Sequence, residues 1–176
     1  MFRLFFITAL LIILPTALSS GQGENEPLEY LVKAKYLLNI PLYVEMPSQA
    51  RNDAPYTICL IGDTPLESIL ISSSGKKAKN RLIIIKAIEE FDNGNSCQML
   101  FVASSERYRL QTLLSAAQHK RILTVSDMKE FTRQGGMIGL ITVENRVTFD
   151  LNLAAASKSS IFFSSHLLKL ARDVIN

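Results

Sequence analysis

Along the chain, stretches with apolar residues at three-and-four spacing alternate with short continuous apolar runs, separated by polar connectors rich in Gly, Pro, Ser and Asn. The segment PLEYLVKAKYLLN (27–39) sets Leu28, Leu31, Val32 and Leu38 at helical spacing. Pro41 is expected to end or kink that helix, because its ring removes a donor and clashes with the preceding turn. A polar connector over 47–55 leads to YTICLIG (56–62), a run suited to a strand buried on both faces. Asp63 or Thr64 then caps a helix that has Pro65 near its first position and continues through LESILI. The connector SSSGKKAKN precedes RLIIIKAI (81–88), a β-branched strand, and the turn EEFDNGNS leads to the strand CQMLFVAS (97–104).

The second half repeats the alternation. Ser104 or Ser105 caps a helix ERYRLQTLLSAAQ with Leu110, Leu113, Leu114 and Ala117 along one stripe. RILTVSD (121–127) is a further strand, and DMKEF a short helix with Asp127 and Glu130 at capping-box spacing, ended by Gly135 and Gly136. MIGLITV and RVTFDLNL form an antiparallel hairpin around Glu144-Asn145. In its second strand Val147, Phe149, Leu151 and Leu153 face one way, and Arg146, Thr148, Asp150 and Asn152 the other. A last helix starts near Ser164 or Ser165, with Leu167, Leu168, Ala171 and Val174 inward. Strands alternating with helices predict a single α/β layered domain with a largely parallel central sheet, flanking helices and a C-terminal antiparallel hairpin.

The N-terminus does not belong to this pattern. Arg3, the apolar run Leu4–Leu14, Pro15, and small residues at Ala17 and Ser19 read as a signal peptide cleaved after Ser19. The competing reading is an uncleaved anchor, but the run is shorter than the ~20 residues that span a bilayer. The expected organisation is a signal peptide over 1–19, a flexible mature N-terminus over 20–27 and the α/β domain over 28–176. Removing 19 of 176 residues leaves 157, enough for one core. Losing Arg3 takes the net charge from +3 to +2, too mild and evenly spread to argue for nucleic acid.

Two cysteines remain, Cys59 and Cys97. In an oxidising compartment they are either bridged, closing a loop worth about 3–4 kcal/mol, or two buried thiols acting as small apolar residues. No histidine stands at a spacing that makes them a zinc site.

Candidate chemistry is sparse. The chain has no G-x-S-x-G nucleophile elbow, and Gly135-Gly136 precede a strand, so they lack the strand–glycine–helix order of a dinucleotide site. Lys76, Lys77, Lys79 and Arg81 could hold an anion or form a solvated loop; Glu89-Glu90 read as solvated, and His119 and His166 as surface or capping residues. The constellation that stands out is Arg146, Thr148, Asp150 and Asn152, a guanidinium, hydroxyl, carboxylate and amide able to read a small polar ligand, or simply the polar outer face of a strand. No catalytic residue, metal ligand or cofactor loop is expected.

EYLVKAKYLLNIPLYVEMP, YTICLIGDTPL, CQMLFVASSE, ILTVSD, GGMIGLITVENRVTFDLNLAAA and SSHLLKLARDV follow one another along about residues 28–175. Together they resemble the YfiR family of exported proteins. The resemblance implies a periplasmic regulator rather than an enzyme. Such a protein binds the periplasmic part of a membrane diguanylate cyclase and represses it, lowering cyclic-di-GMP output and biofilm formation. An outer-membrane-associated protein that sequesters the repressor is implied as a second partner, and a homodimer is a further candidate assembly. The resemblance also favours a Cys59–Cys97 bridge. A further cysteine pair that some relatives carry near the hairpin is absent, Pro41 interrupts a helix that usually runs on, and Met46 stands where tryptophan is usual. Ile161, Phe162 and Phe163, just before the last helix, are the candidate partner-binding residues, with completion of the core as their alternative role. The remaining alternative is a small-ligand-binding module that uses the Arg146–Asn152 face.

Overall fold

The structure, a computed structural model, describes residues 26–47, 54–78, 80–92 and 96–176. The expected signal peptide and most of the expected mature N-terminus lie outside the described residues. Among the described residues no helix is long and apolar enough to cross a membrane.

β2 (Tyr56–Ile61) organises the molecule, with all six of its residues buried. It pairs in parallel with β4 (Arg81–Ile88) on one side and with β5 (Met99–Val102) on the other. Because side chains alternate across a strand, Tyr56, Ile58 and Leu60 enter one core, and Cys59 and Ile61 enter a second. β5 divides likewise, Met99 and Phe101 to the first and Leu100 and Val102 to the second.

The first core is roofed by α1 (Glu26–Asn39), α2 (Leu66–Ile71), α4 (Leu153–Lys158) and α5 (Ser165–Leu170). These contribute Ala34, Leu37, Leu66, Leu70, Ala156 and Leu167. The second is roofed by α3 (Leu110–His119), whose Leu110, Leu113, Leu114 and Ala117 form the expected stripe. The remaining strands are β1 (Val44–Glu45), β3 (Lys77–Ala78), β6 (Leu123–Ser126), β7 (Ile138–Val143), β8 (Arg146–Asn152), β9 (Phe162–Phe163) and β10 (Asp173–Ile175). The main sheet runs β10-β8-β7-β6-β5-β2-β4-β3, and β1 with β9 forms a separate two-stranded ribbon. Within the main sheet neighbours are parallel except in β7–β8 and β3–β4, and the β1–β9 ribbon is antiparallel. The expected α/β class with a largely parallel sheet is what the chain adopts. The hairpin turns at Glu144 and Asn145, with φ of 47° and 63°, the double left-handed turn that suits a two-residue β-hairpin loop.

Several local expectations are corrected. α1 buries Lys33, Ala34 and Leu37, while Leu28 and Leu31 are exposed. The helix is apolar on most of its circumference, so spacing alone does not fix its inner face. Residues 129–135 form consecutive turns, preceded by a bend at Met128, rather than a helix. Asp127 is drawn away to Lys33, and Glu130 has a left-handed φ of 62° and pairs with Arg133, so no capping box forms. Gly135 does adopt a left-handed φ of 100°, but Gly136 is needed for packing, since a Cβ there would lie 2.1 Å from the Phe131 ring.

The helix expected from residue 106 begins as a 3₁₀ segment over Ser104–Arg109, and Ser105 does not cap it but accepts a hydrogen bond from the Asp63 amide at 2.8 Å. Leu153 opens α4 instead of ending β8, because the Asn152 side chain caps that helix. Ser164 caps α5 as expected, but the helix stops at Leu170 and Val174 lies in β10. There the Arg172 amide bonds to the Phe149 carbonyl at 2.9 Å and pulls the chain into the sheet.

Cys59, in β2, and Cys97, two residues before β5, form a disulfide, with Cα atoms 5.8 Å apart and a separation of 38 positions in sequence. Both belong to the second core, which has a single helical roof. Substituting Cys97→Ser, or reducing the bridge, is expected to cost about 3–4 kcal/mol through the freed unfolded chain. Urea denaturation with and without reductant checks this; a loss below about 1 kcal/mol would show that packing alone holds the second layer.

Candidate interaction site

The longest helix and the last third of the chain meet at one end of the sheet. α1 lies over β8, with Tyr36 edge-on to Phe149 at 5.6 Å between ring centroids and its hydroxyl donating to the Val147 carbonyl at 3.4 Å. Its placement is set by a charge that the sequence pattern did not reveal. Lys33 points inward and is 5% exposed. Its ammonium lies 2.6 Å from Glu29 and 2.9 Å from Asp127, just past the end of β6, and 4.9 Å above the Tyr30 ring. The partners are 94 residues apart in sequence, so only the fold brings them together.

Burial works against both charges in the Glu29–Lys33 pair. It raises the Glu29 carboxyl, but hydrogen bonds from Lys33 and Thr142, with the adjacent ammonium charge, outweigh it and hold the pKa below the ordinary 4.5. It lowers the Lys33 ammonium, but hydrogen bonds and charge from Glu29 and Asp127 outweigh it and hold that pKa above 10.5.

So pinned, α1 walls two grooves that share Val32. One, of about 370 Å³, runs between α1 and the hairpin and is lined by Leu28, Thr142, Asn145, Arg146 and Val147. The other, of about 360 Å³, runs between α1 and α5 and is lined by Tyr36, Ile40, Tyr43, Phe149, Leu167 and Leu170. Leu28, Leu31 and Leu170 stay exposed around them. Apolar walls with a few polar groups at the rim are the makeup of a binding surface.

The four residues of the polar stripe do not share one open face. Arg146 is exposed at the first groove and Thr148 is half-buried. Asp150 is buried and held bidentately by Arg172, at 2.9 and 2.5 Å. Asn152 is buried too; its oxygen accepts from the Ala155 amide and its nitrogen donates to the Thr132 carbonyl, both at 2.8 Å. Two of the four thus serve β10 and α4.

The run before the last helix also divides. Ile161 is buried in the first core, Phe163 packs against it, and Phe162 is 58% exposed on β9, opposite Glu45. The ribbon that carries Phe162 leads out from Tyr43, which lines the second groove and stacks on His166 at 5.3 Å. Met46, in place of the usual tryptophan, accepts a hydrogen bond from the buried Tyr56 hydroxyl at 3.6 Å. His119 is exposed at the end of α3. Among the described residues no group of three or more His, Cys, Asp and Glu could hold a metal ion.

A family model described as YfiR/HmsC-like matches residues 30–172, and the chain belongs to that family. Two solved structures share the fold. The ABC domain in complex with L-Trp from Streptococcus pneumoniae aligns with a TM-score of 0.55 at 9% identity, over 84% of this chain and 60% of that one. A conserved domain protein from Vibrio cholerae aligns with a TM-score of 0.56 at 8% identity, over 82% and 60%. The chain thus spans about 60% of the length of each. At such identities the likeness is one of fold.

The Lys33 cluster makes stability depend on pH in a definite direction. A carboxyl with a lowered folded pKa contributes stability above its unfolded value of 4.5 and loses it as pH falls through the folded value. An ammonium with a raised pKa contributes below 10.5 and loses it as pH rises through the folded value. The cluster's contribution is therefore a plateau between these limits. Lys33→Met leaves the half-buried Asp127 carboxylate without its ammonium partner, and is expected to cost up to about 3 kcal/mol at neutral pH and to flatten the fall in Tm below pH 4.5. Thermal melts of both proteins across the pH range test this; identical curves would remove the pair from any role in holding α1.

Proposed function

We propose that this protein is a periplasmic regulator that binds the sensor part of a membrane-bound diguanylate cyclase and holds its output down, lowering cyclic-di-GMP signalling. The observation that carries the reading is family membership across nearly the whole domain. The α1 grooves and the exposed Phe162 supply a surface suited to it. An exposed aromatic beside apolar grooves resembles the anchors that dominate protein–protein contacts. In this reading Phe162 is the direct contact, whereas Ile161 and Phe163 hold the ribbon that presents it.

Binding outside a membrane changes an enzyme inside it only if the regulator prefers one state of the sensor module. Equal affinity for both states does nothing, however tight the complex. The regulator therefore favours the inactive arrangement. An outer-membrane-associated protein that competes for the same surface relieves repression by lowering the free regulator, without contact with the cyclase. Export by the N-terminal segment places the chain where both encounters occur.

A second reading, a small-ligand module, keeps one foothold, since Arg146 is exposed on the groove between α1 and the hairpin. A polar metabolite held there raises Tm with its concentration, and Arg146→Ala abolishes that shift.

For the regulatory reading, the test is co-purification of a membrane diguanylate cyclase with the mature protein, alongside cyclic-di-GMP measured in the same cells. Phe162→Glu is expected to abolish capture and raise cyclic-di-GMP while leaving Tm nearly unchanged, because the ring is largely in water already. Capture that survives the substitution would move the contact elsewhere. Cyclic-di-GMP that does not respond to deletion of the protein would end the regulatory reading.

A further inference from the structure

The main sheet has an edge that the regulatory reading does not use. β4 pairs with β2 from Ile83 to Ile88. On its other side β3 covers only Arg81 and Leu82. The preceding turn adds two bonds, Gly75 N–H to the Ile83 carbonyl at 2.9 Å and Ile83 N–H to the Lys76 carbonyl at 2.7 Å. The Ser74 hydroxyl then takes the Ile85 N–H at 3.4 Å. Backbone groups alternate in direction along a strand, so Ile85 and Ala87 point outward as Ile83 does. Among the described residues nothing bonds to the Ile85 carbonyl or to either backbone group of Ala87. This is an exposed edge in the middle of a strongly β-forming segment, the kind of feature natural proteins guard or use.

Its side chains add character. Leu82 is 45% exposed and Ile84 half-buried, on the face away from the first core, and Lys86 stands exposed in the same row. Lys76 and Lys77 are exposed at the β3 end. Of the four-residue basic cluster seen in the sequence, Lys79 lies outside the described residues. Arg81 is already engaged, donating to the Ala54 and Pro55 carbonyls at 2.6 and 3.0 Å. The edge therefore offers free backbone groups, two apolar side chains and three lysines, with Glu89 and Glu90 only beyond the strand's end.

We propose that the outer edge of β4 docks an extended, acidic segment of a partner protein, which adds to the sheet as a further strand. Main-chain bonds to Ile85 and Ala87 supply the pairing, as in other strand additions. Acidic residues meet Lys77 and Lys86, and apolar ones cover Leu82 and Ile84. The same lysines disfavour a second copy of this chain, because pairing two β4 edges would bring like charges together. The inference stands on this edge and uses neither Phe162 nor the α1 grooves, so it can fail or hold independently of the regulatory reading.

The test uses the mature chain and a short fluorescent peptide of alternating glutamate and valine, with an alternating lysine–valine peptide as control. The acidic peptide is expected to bind about ten-fold or more tighter than the control and to weaken as salt rises. Amide exchange at Ala87 slows in the complex. Ala87→Pro, which removes the outward donor at a position where an edge strand tolerates proline, abolishes binding. Lys86→Glu, a substitution at an exposed position, reverses the preference between the peptides and decides the matter should the proline variant not fold. Equal binding of both peptides, no binding of either up to about 1 mM, binding with Ala87 exchange unchanged, or a preference indifferent to Lys86→Glu would each overturn the proposal. So would a free chain that is already a dimer with the Ala87 amide protected, which would make a second copy the occupant.

Discussion

A strand flanked by parallel neighbours must have both faces covered, and the arrangement of this molecule follows from how unequally its chain meets that demand around β2. Four helices share the first face, whereas α3 and the bend and turns at 128–135, through Met128 and Phe131, serve the second. A helix is about 10 Å across, enough for two or three strands at about 4.8 Å spacing. One helix therefore covers the middle of an eight-stranded sheet and cannot reach its ends. The disulfide sits in this thinner layer, tying β2 to the approach to β5 where packing has least to offer. The same shortage leaves Leu82 exposed and Ile84 only half-covered on β4.

The thicker layer has a different weakness. α1 carries apolar side chains around most of its surface, so burial alone does not fix its rotation about its axis. The buried Lys33 does. A lysine drawn out of water is stabilised only where a carboxylate is already in place, and Asp127, which unlike Glu29 does not turn with the helix, provides one such position. A hydrophobic residue at 33 could pack as well or better, but would accept several rotations. On this argument the ion pair specifies the exposed face of α1, and with it the walls of both grooves and the outward display of Leu28 and Leu31.

How much of this could be read from the sequence depended on the range of the deciding interaction. The strands 56–61 and 81–88 and the α3 stripe were legible because period and composition are local properties. The hairpin was legible because two adjacent residues set its turn. The C-terminal helix was over-extended because what ends it lies elsewhere, in the Phe149 carbonyl and the Asp150 carboxylate that capture Arg172. Asp150 and Asn152 looked available as ligand contacts for the same reason: alternation shows which way a side chain points, but not which distant group awaits it. Phe162 differed from Ile161 and Phe163 only through its pairing in a two-residue ribbon that no pattern signals. Lys33 carried no sequence signal at all beyond being a charge on an apolar helix.

The two surfaces lie at opposite sides of the sheet, and this has a consequence for regulation. The second groove borders β8 through Phe149, while the free edge belongs to β4. Five strand-to-strand steps separate β8 from β4 in the order β8-β7-β6-β5-β2-β4, about 24 Å at the usual spacing. Ligands that far apart do not collide unless they are large, so occupying the edge need not displace a partner from the groove. Coupling between the two would then have to pass through the sheet, as a change in β2 or in the α1 placement that both sites sense. β2, buried on both faces and bonded on both sides, is poorly suited to such a change. Simultaneous occupancy without coupling is the simpler outcome. It would let the edge hold the protein at a fixed location while, in the regulatory reading proposed above, the α1 surface remains free to engage and release a sensor.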